Sequence, residues 1–399
     1  MIEITNFRQG AVLNYHHGKE SENALRITVE GLSDHGCPVV VNGVAARMDG
    51  RRFFADIDLT EKINVITAST ITPFGNYSQE MTLVWDKKSF KRYNCYIDDH
   101  IFLFTDLAKQ RPKSAFDHFY LKGLKNIHDK YGLKCTLNCF YHNAHQEFLL
   151  KDMPDIWKSE FIDNSDWLKF SFHSYSEVPD RPYAEASAEE FGRDWDLVQN
   201  EIYRFAGEQS YIAPCVIHWA NIHPAVAQEF IRRGGKCYCA GGMRLRVMGG
   251  PSLADRQKGG NMAKVQAASL AGTDRTPETL GLELHYGFLE EKSYAANHRI
   301  YYDPLLGIFI SGGSGCCCNL VPLEEIPKRM EKIWESCEKN HCETFGGGSH
   351  EQYTFPYYPN YLPDHMERIE TLARFYYEHD CKPVFYSEGL LGNKAWDEK

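Results

Sequence analysis

Two adjacent carboxylates, Asp98 and Asp99, close the run that starts at Asn94, and imidazoles stand where several later runs end: His142, His173, His218, His285 and His350. Carboxylate oxygen and imidazole nitrogen are ligands for zinc and other divalent metals. The same groups serve as general base and general acid. His173 and Glu177 form His-x-x-x-Glu, a spacing that brings both side chains to one face if the residues after the strand coil into a helical turn. On an ideal strand Asp98 and Asp99 face opposite ways, so both line one pocket only where the strand ends. A loop-starting pair that caps backbone groups is the plainer use of the same residues. Tyr141, Trp219, Tyr286 and Tyr353 offer flat faces for a sugar ring or for packing.

These side chains meet only if the chain lays its strands side by side in one direction. From about residue 89, strand-like runs at 94–99, 135–141, 167–173, 211–219, 236–239, 282–286, 305–310, 343–350 and 383–387 alternate with helix-like stretches at 116–131, 188–206, 224–233, 323–339 and 364–378. Phe191, Trp195, Val198, Ile202 and Phe205 recur at three and four residues, and Gly132 suits a left-handed helix end. Alternation of this kind predicts an α/β fold with a parallel sheet, and about eight units favour a barrel over an open sheet. In a barrel the strand ends share one face, where a site belongs. The glycine-rich stretch 241–277 reads as a long excursion over that face, a lid or a surface insertion.

Residues 1–88 have another texture. Short alternating runs at 25–32, 39–41, 53–59, 63–67 and 81–85, with Asn42-Gly43 and Asp49-Gly50 between them, predict a small all-β sandwich. With 43% hydrophobic and 25% charged residues, the 399-residue chain is globular rather than disordered. Its net charge of −10, without a basic run, argues against a nucleic-acid partner. No apolar stretch is long enough to predict a membrane span or a leader, and 13 scattered cysteines fit reduced, buried thiols, so a cytoplasmic protein is expected.

In their order along the chain, Asp98-Asp99, His173 and His350 resemble the motifs of the NodB-type polysaccharide deacetylase superfamily, over nearly all of residues 89–399. The Asp pair matches the one that closes the family's first strand. His173 matches the first histidine of His-x-x-x-His, with Glu177 in place of the second. His350 matches a late-strand histidine followed by a helix and a final strand. The resemblance implies a distorted (β/α) barrel and a divalent metal, zinc first and manganese, nickel or cobalt after it. It also implies Asp98 as base, Asp99 and His173 as metal ligands and His350 as acid, with an acylated carbohydrate as substrate. Residues 1–88 resemble the immunoglobulin-like modules that precede bacterial carbohydrate enzymes.

The chain departs from that pattern at two places. Val216-Ile217-His218-Trp219-Ala220-Asn221 stands where the family has an Arg-Pro-Pro-Tyr-like segment, so the arginine that orients the base is missing. Glu177 as a ligand shifts metal preference toward harder ions; His218 or His285 would otherwise complete the set. His218, Trp219, His285, Tyr286, Glu351 and Tyr353 are the expected substrate contacts. A carbohydrate deacetylase-like hydrolase is the leading expectation. A glycoside hydrolase drawing its carboxylates from Asp98, Glu177 and Glu351, or a noncatalytic carbohydrate-binding protein, are the alternatives.

Other signals carry no chemistry. His350-Glu351-Gln352-Tyr353-Thr354 lacks the second zincin histidine, Gly346-Gly347-Gly348 is not followed by the Lys-Ser/Thr of a phosphate loop, and Cys316-Cys317-Cys318 would alternate faces when extended.

Overall fold

A computed structural model describes residues 2–34, 36–220, 222–239, 300–311 and 316–397. The strand expected at 282–286, with His285 and Tyr286, and the excursion at 241–277 lie outside the described residues.

Alternation in the first 85 residues folds as its pattern demands. Strand Leu25–Ser33 buries every second residue and pairs with Ile2–Ile4 and Arg52–Leu59; a second sheet pairs Gly75–Trp85 with Ile63–Thr72, and Ile63–Thr72 with Val39–Val41. Ile27, Val29, Phe53 and Ile57 of the first sheet share one apolar cluster with Val41, Ile66, Leu83 and Trp85 of the second, as two stacked sheets must. Asn42 and Gly43 both take positive φ (46° and 83°), the type I′ geometry that joins Val39–Val41 to Val44–Ala45.

The rest of the chain is mixed α/β. Its central sheet is parallel, in the order Leu168–Ser174, Cys135–Phe140, Arg92–His100, Thr344–His350, with Lys382–Pro383 also against Arg92–His100. A second sheet pairs Cys237–Cys239 in parallel with Ile308–Ser311, which runs antiparallel to Ile300–Asp303. The described strands therefore form two sheets, and no closed barrel is shown among them. The segment expected to be a strand at 211–219 is irregular. It passes between the sheets, bonded through Ile212 N–H to Phe170 O (2.9 Å) on one side and through Cys215 O to Cys239 N–H (2.6 Å) on the other.

Helices cover the central sheet for local reasons. Ala188–Phe205 opens on a Ser187–Glu190 capping box and buries the five apolar positions read from its spacing. Phe119–Tyr131 ends on Gly132 at φ 69°, the left-handed cap that glycine accepts without strain. In strand Thr344–His350 the glycines admit neighbours: a Cβ on Gly347 would lie 2.3 Å from Leu372 Cδ1, and one on Gly348 2.6 Å from Tyr96 Cε2. None of the 13 cysteines is in a disulfide. Among the described residues, no helix is long and apolar enough to cross a membrane.

Candidate metal centre

Strand Arg92–His100 carries Asp98 and Asp99 to the C-terminal edge of the parallel sheet. Ile97 pairs with Leu137, but the next pair is His100 with Cys139, so the strand bulges at the two aspartates. Asp99 takes φ 67° there, and both carboxylates are buried. A bulge re-aims side chains that a regular strand would send to opposite faces. That resolves the difficulty of placing two consecutive carboxylates in one pocket.

Asp99, His173 and His218 converge. His173 Nε2 lies 3.2 Å from Asp99 Oδ1, His218 Nδ1 lies 3.3 Å from the same oxygen, and the two nitrogens are 3.3 Å apart. Ligand distances of about 2.0–2.1 Å around a tetrahedral zinc put neighbouring ligand atoms about 3.3 Å from one another. The triangle has the size such an ion needs, and these three residues are a buried group able to hold a metal ion.

Tautomers sharpen the point. His173 Nδ1 faces the carbonyl of Val216 (3.1 Å) and His218 Nε2 faces that of Glu177 (3.0 Å). A carbonyl only accepts, so each of those ring nitrogens carries the hydrogen, and the other nitrogen of each neutral ring presents a lone pair to the centre. Burial holds the His173 imidazole below its ordinary pKa, on the neutral side. Asp99 Oδ2 accepts from Gln352 Nε2 (2.8 Å), while Oδ1 is buried without a hydrogen-bond donor. Three lone pairs thus meet at a buried point, an arrangement that is costly without a cation.

The two aspartates are held differently. Burial pushes the Asp98 carboxyl well above the usual range, helped by the Asp99 charge and opposed by a 2.6 Å hydrogen bond from Asn138 Nδ2. Asp99 instead stands 3.2–3.3 Å from the ring nitrogens of His173 and His218 and accepts from Gln352 Nε2. Environments that separate two carboxyls in this way divide their roles. His350 pairs with Asp98 across the adjacent strands and turns Nδ1 to Asn319 Oδ1 at 3.0 Å.

Glu177 sits elsewhere than its spacing implied. No helical turn follows strand Leu168–Ser174; the chain runs irregularly to Ser187, and the Glu177 carboxylate turns to His145 Nε2. It reaches the centre only through its main-chain oxygen, and His218 takes the third corner. Glu351, expected at the substrate, is fully buried and caps helix Phe102–Gln110: Oε2 accepts from Ile101 N and Phe102 N (2.8 Å each) and Oε1 from Leu103 N (2.7 Å). Glu351→Ala strands three buried donors beside the aspartate bulge, and an expected loss of about 2–3 kcal/mol should show in urea unfolding. Trp219 is half-buried next to His218, with Arg181 over its ring at 5.6 Å, and Tyr353 is half-buried with its ring 6.3 Å from that of His350. Tyr141 is buried under Tyr175.

Asn138, Gln352 and Asn319 were not singled out from sequence. Asn138 had a visible signal, as the one amide in the run Cys-Thr-Leu-Asn-Cys-Phe. The other two had none.

His365 supports the strand end from below, between the Ser349 and Thr354 hydroxyls. Burial, then the nearby His350 and Arg368 side chains, hold its imidazole down to about 3, with Asp364 opposing. An unfolded chain takes this proton first, near pH 6.5, so the contribution is whole above that pH and is lost as pH falls toward 3. Between pH 6 and 4 the wild type should lose up to ~1.4 kcal/mol of unfolding free energy per pH unit more than His365→Gln. Parallel slopes in urea titrations would remove His365 from the acid response.

Compared with known proteins, the chain matches no family model, and no curated protein matches it.

Proposed function

We propose that the chain is a metal-dependent hydrolase of the deacetylase type, cleaving an acyl amide or ester of a carbohydrate. The observation that carries this is the Asp99–His173–His218 triangle, with tetrahedral edges and three converging lone pairs, flanked by Asp98 and His350. A divalent cation held there, zinc or a similar ion, would supply polarisation of a carbonyl and activation of water. Asp98 is placed to act as base: burial and then the Asp99 charge raise its carboxyl, a cation held at Asp99 would offset the second of these, and Asn138 keeps one oxygen fixed. His350, its Nδ1–H directed to Asn319, gives a proton to the leaving amine or alcohol.

The fold proposed is the distorted (β/α) barrel with an immunoglobulin-like sandwich before it. In support, Cys316 O accepts from Gly348 N–H (3.0 Å) beyond strand Thr344–His350 on this side of the first sheet, as Phe170 O accepts from Ile212 N–H (2.9 Å) on the other. A sugar substrate is supported by aromatic faces at the same strand ends, among them the exposed rings of Tyr175 and Tyr357. Thirteen cysteines outside any disulfide support a reducing, cytoplasmic setting and hence a small imported oligosaccharide rather than a long polymer. The paired-carboxylate glycosidase is less well supported, because Glu351 is spent on backbone donors and Glu177 on His145.

Acetate release from a panel of N- and O-acetylated oligosaccharides, with zinc- and cobalt-loaded protein, tests the reading. Asp98→Asn should lower the rate at least about a hundredfold while metal stays bound. Turnover that survives exhaustive chelation, or that Asp98→Asn leaves intact, would overturn it.

A further inference from the structure

Glu177 makes one contact with the metal centre and a second just outside it, and neither is ligation. Its carbonyl accepts the Nε2 hydrogen of His218 at 3.0 Å, the bond that aims the His218 Nδ1 lone pair inward. Its carboxylate, with a side chain 12% exposed, is docked on His145 Nε2. His145 is itself held: its backbone N–H donates to Asn143 Oδ1 (2.9 Å), and its ring lies edge-on to Phe102 (5.4 Å) and Tyr358 (5.9 Å). Phe102 starts the helix that follows the aspartate bulge. The contacts therefore run from His218 through the Glu177 backbone and side chain to His145, and from there to the helix that follows the strand carrying Asp99.

A main-chain oxygen in an irregular segment has no helix or sheet ladder to hold it still. Tyr175 O, two residues before it, accepts from Tyr141 N–H (3.0 Å) and His142 N–H (2.8 Å), and at Glu177 itself the side chain on His145 is the further anchor. We propose that Glu177 is a positioning residue for the metal centre: the His145 contact pins its side chain so that its carbonyl keeps His218 in the ligating tautomer and orientation. The inference rests on the metal reading of Asp99, His173 and His218. Partners that orient a metal-binding imidazole typically matter about 10–100-fold in metal affinity.

Cobalt(II) titration of the metal-free full chain, followed by its visible absorption, tests this. Glu177→Ala keeps the carbonyl and loses the anchor, so it should still bind one cobalt but about 10–100-fold more weakly, with a changed spectrum and an unchanged metal-free unfolding midpoint. His145→Ala should do the same. The double variant should be no worse than either single one, because both cut the same connection. Glu177→Gln, which keeps an oxygen for a His145 N–H, should recover most of the affinity and the wild-type spectrum, and it carries the comparison if the alanine variant does not fold. Affinities within twofold of wild type, with unchanged spectra, would overturn the proposal, and so would losses that multiply in the double variant. Failure of the underlying reading looks different: the wild type itself binds no cobalt, and the inference falls with it.

Discussion

Alanine at Asp99, His173 or His218 is expected to abolish tight binding of one divalent metal per chain, read by elemental analysis after dialysis against a weak chelator. The three ligand atoms stand 3.2–3.3 Å apart, so each variant leaves two corners of the triangle. Structural zinc sites gain about 10 kcal/mol or more from their ligand sets, so one ligand in three is worth about 3 kcal/mol, or about a few hundredfold in affinity. If the proposed hydrolysis holds, its rate should fall further, by about a thousandfold or more, because the group that would polarise the carbonyl is lost from the centre. Stability supplies a second readout. Chelation should lower the wild-type unfolding midpoint, since a metal that binds only the folded chain stabilises it by mass action, while the three variants should be insensitive to chelator. Glu177→Ala, by contrast, should fill one site at excess metal. A ligand variant that keeps one tightly held metal would remove that residue from the centre.

His218 also shows where reading the sequence stops. The strand Cys135–Phe140 and the helix Ala188–Phe205 were legible within a residue, and for the helix the reason is that three-and-four spacing of apolar residues is a local signal. Asp98, Asp99, His173 and His350 were legible as residues at strand ends. The segment 211–219 looked like one more strand, yet Trp219 and Ala220 take φ of 66° and 47°, and this twist after His218 belongs to no local pattern. Glu177 misled for the opposite reason. Its spacing from His173 has meaning only on a helical turn, and none forms there. Helix Phe102–Gln110 went unread because it has no capping side chain of its own. Its cap, Glu351, lies about 250 residues further along the chain. Pairings at that range come from the sheet order, which brings Thr344–His350 beside Arg92–His100.

Arg92→Met is expected to cost about 3–5 kcal/mol in urea unfolding, among the largest stability losses open to a single substitution outside the metal centre. Arg92 begins the central strand and is wholly buried, and its guanidinium lies 3.0 Å from Asp86, which is 2% exposed. It also donates to the carbonyls of Phe90 (3.1 Å), Leu390 (3.3 Å) and Leu391 (2.8 Å), while Asn393 donates to Asp86 Oδ1 at 2.9 Å. One cation thus ties the link after strand Gly75–Trp85, the first strand of the parallel sheet and the C-terminal segment together. Trp396 closes the same junction on Trp85 O at 2.8 Å. Methionine fills the space of the arginine stem but leaves the Asp86 charge buried and the carbonyls of Phe90 and Leu391 without the arginine donor, while Leu390 O keeps the N–H of Asn393 (3.0 Å). The penalty comes from those stranded groups rather than from a lost attraction, so removing the charge at the other end should return part of it. Arg92→Met with Asp86→Asn should therefore be more stable than Arg92→Met alone, and the C-terminal segment should be cut faster by protease in the single variant than in the pair. A single variant as stable as wild type would mean that the junction is held by the tryptophans and the backbone bonds, with the ion pair contributing little.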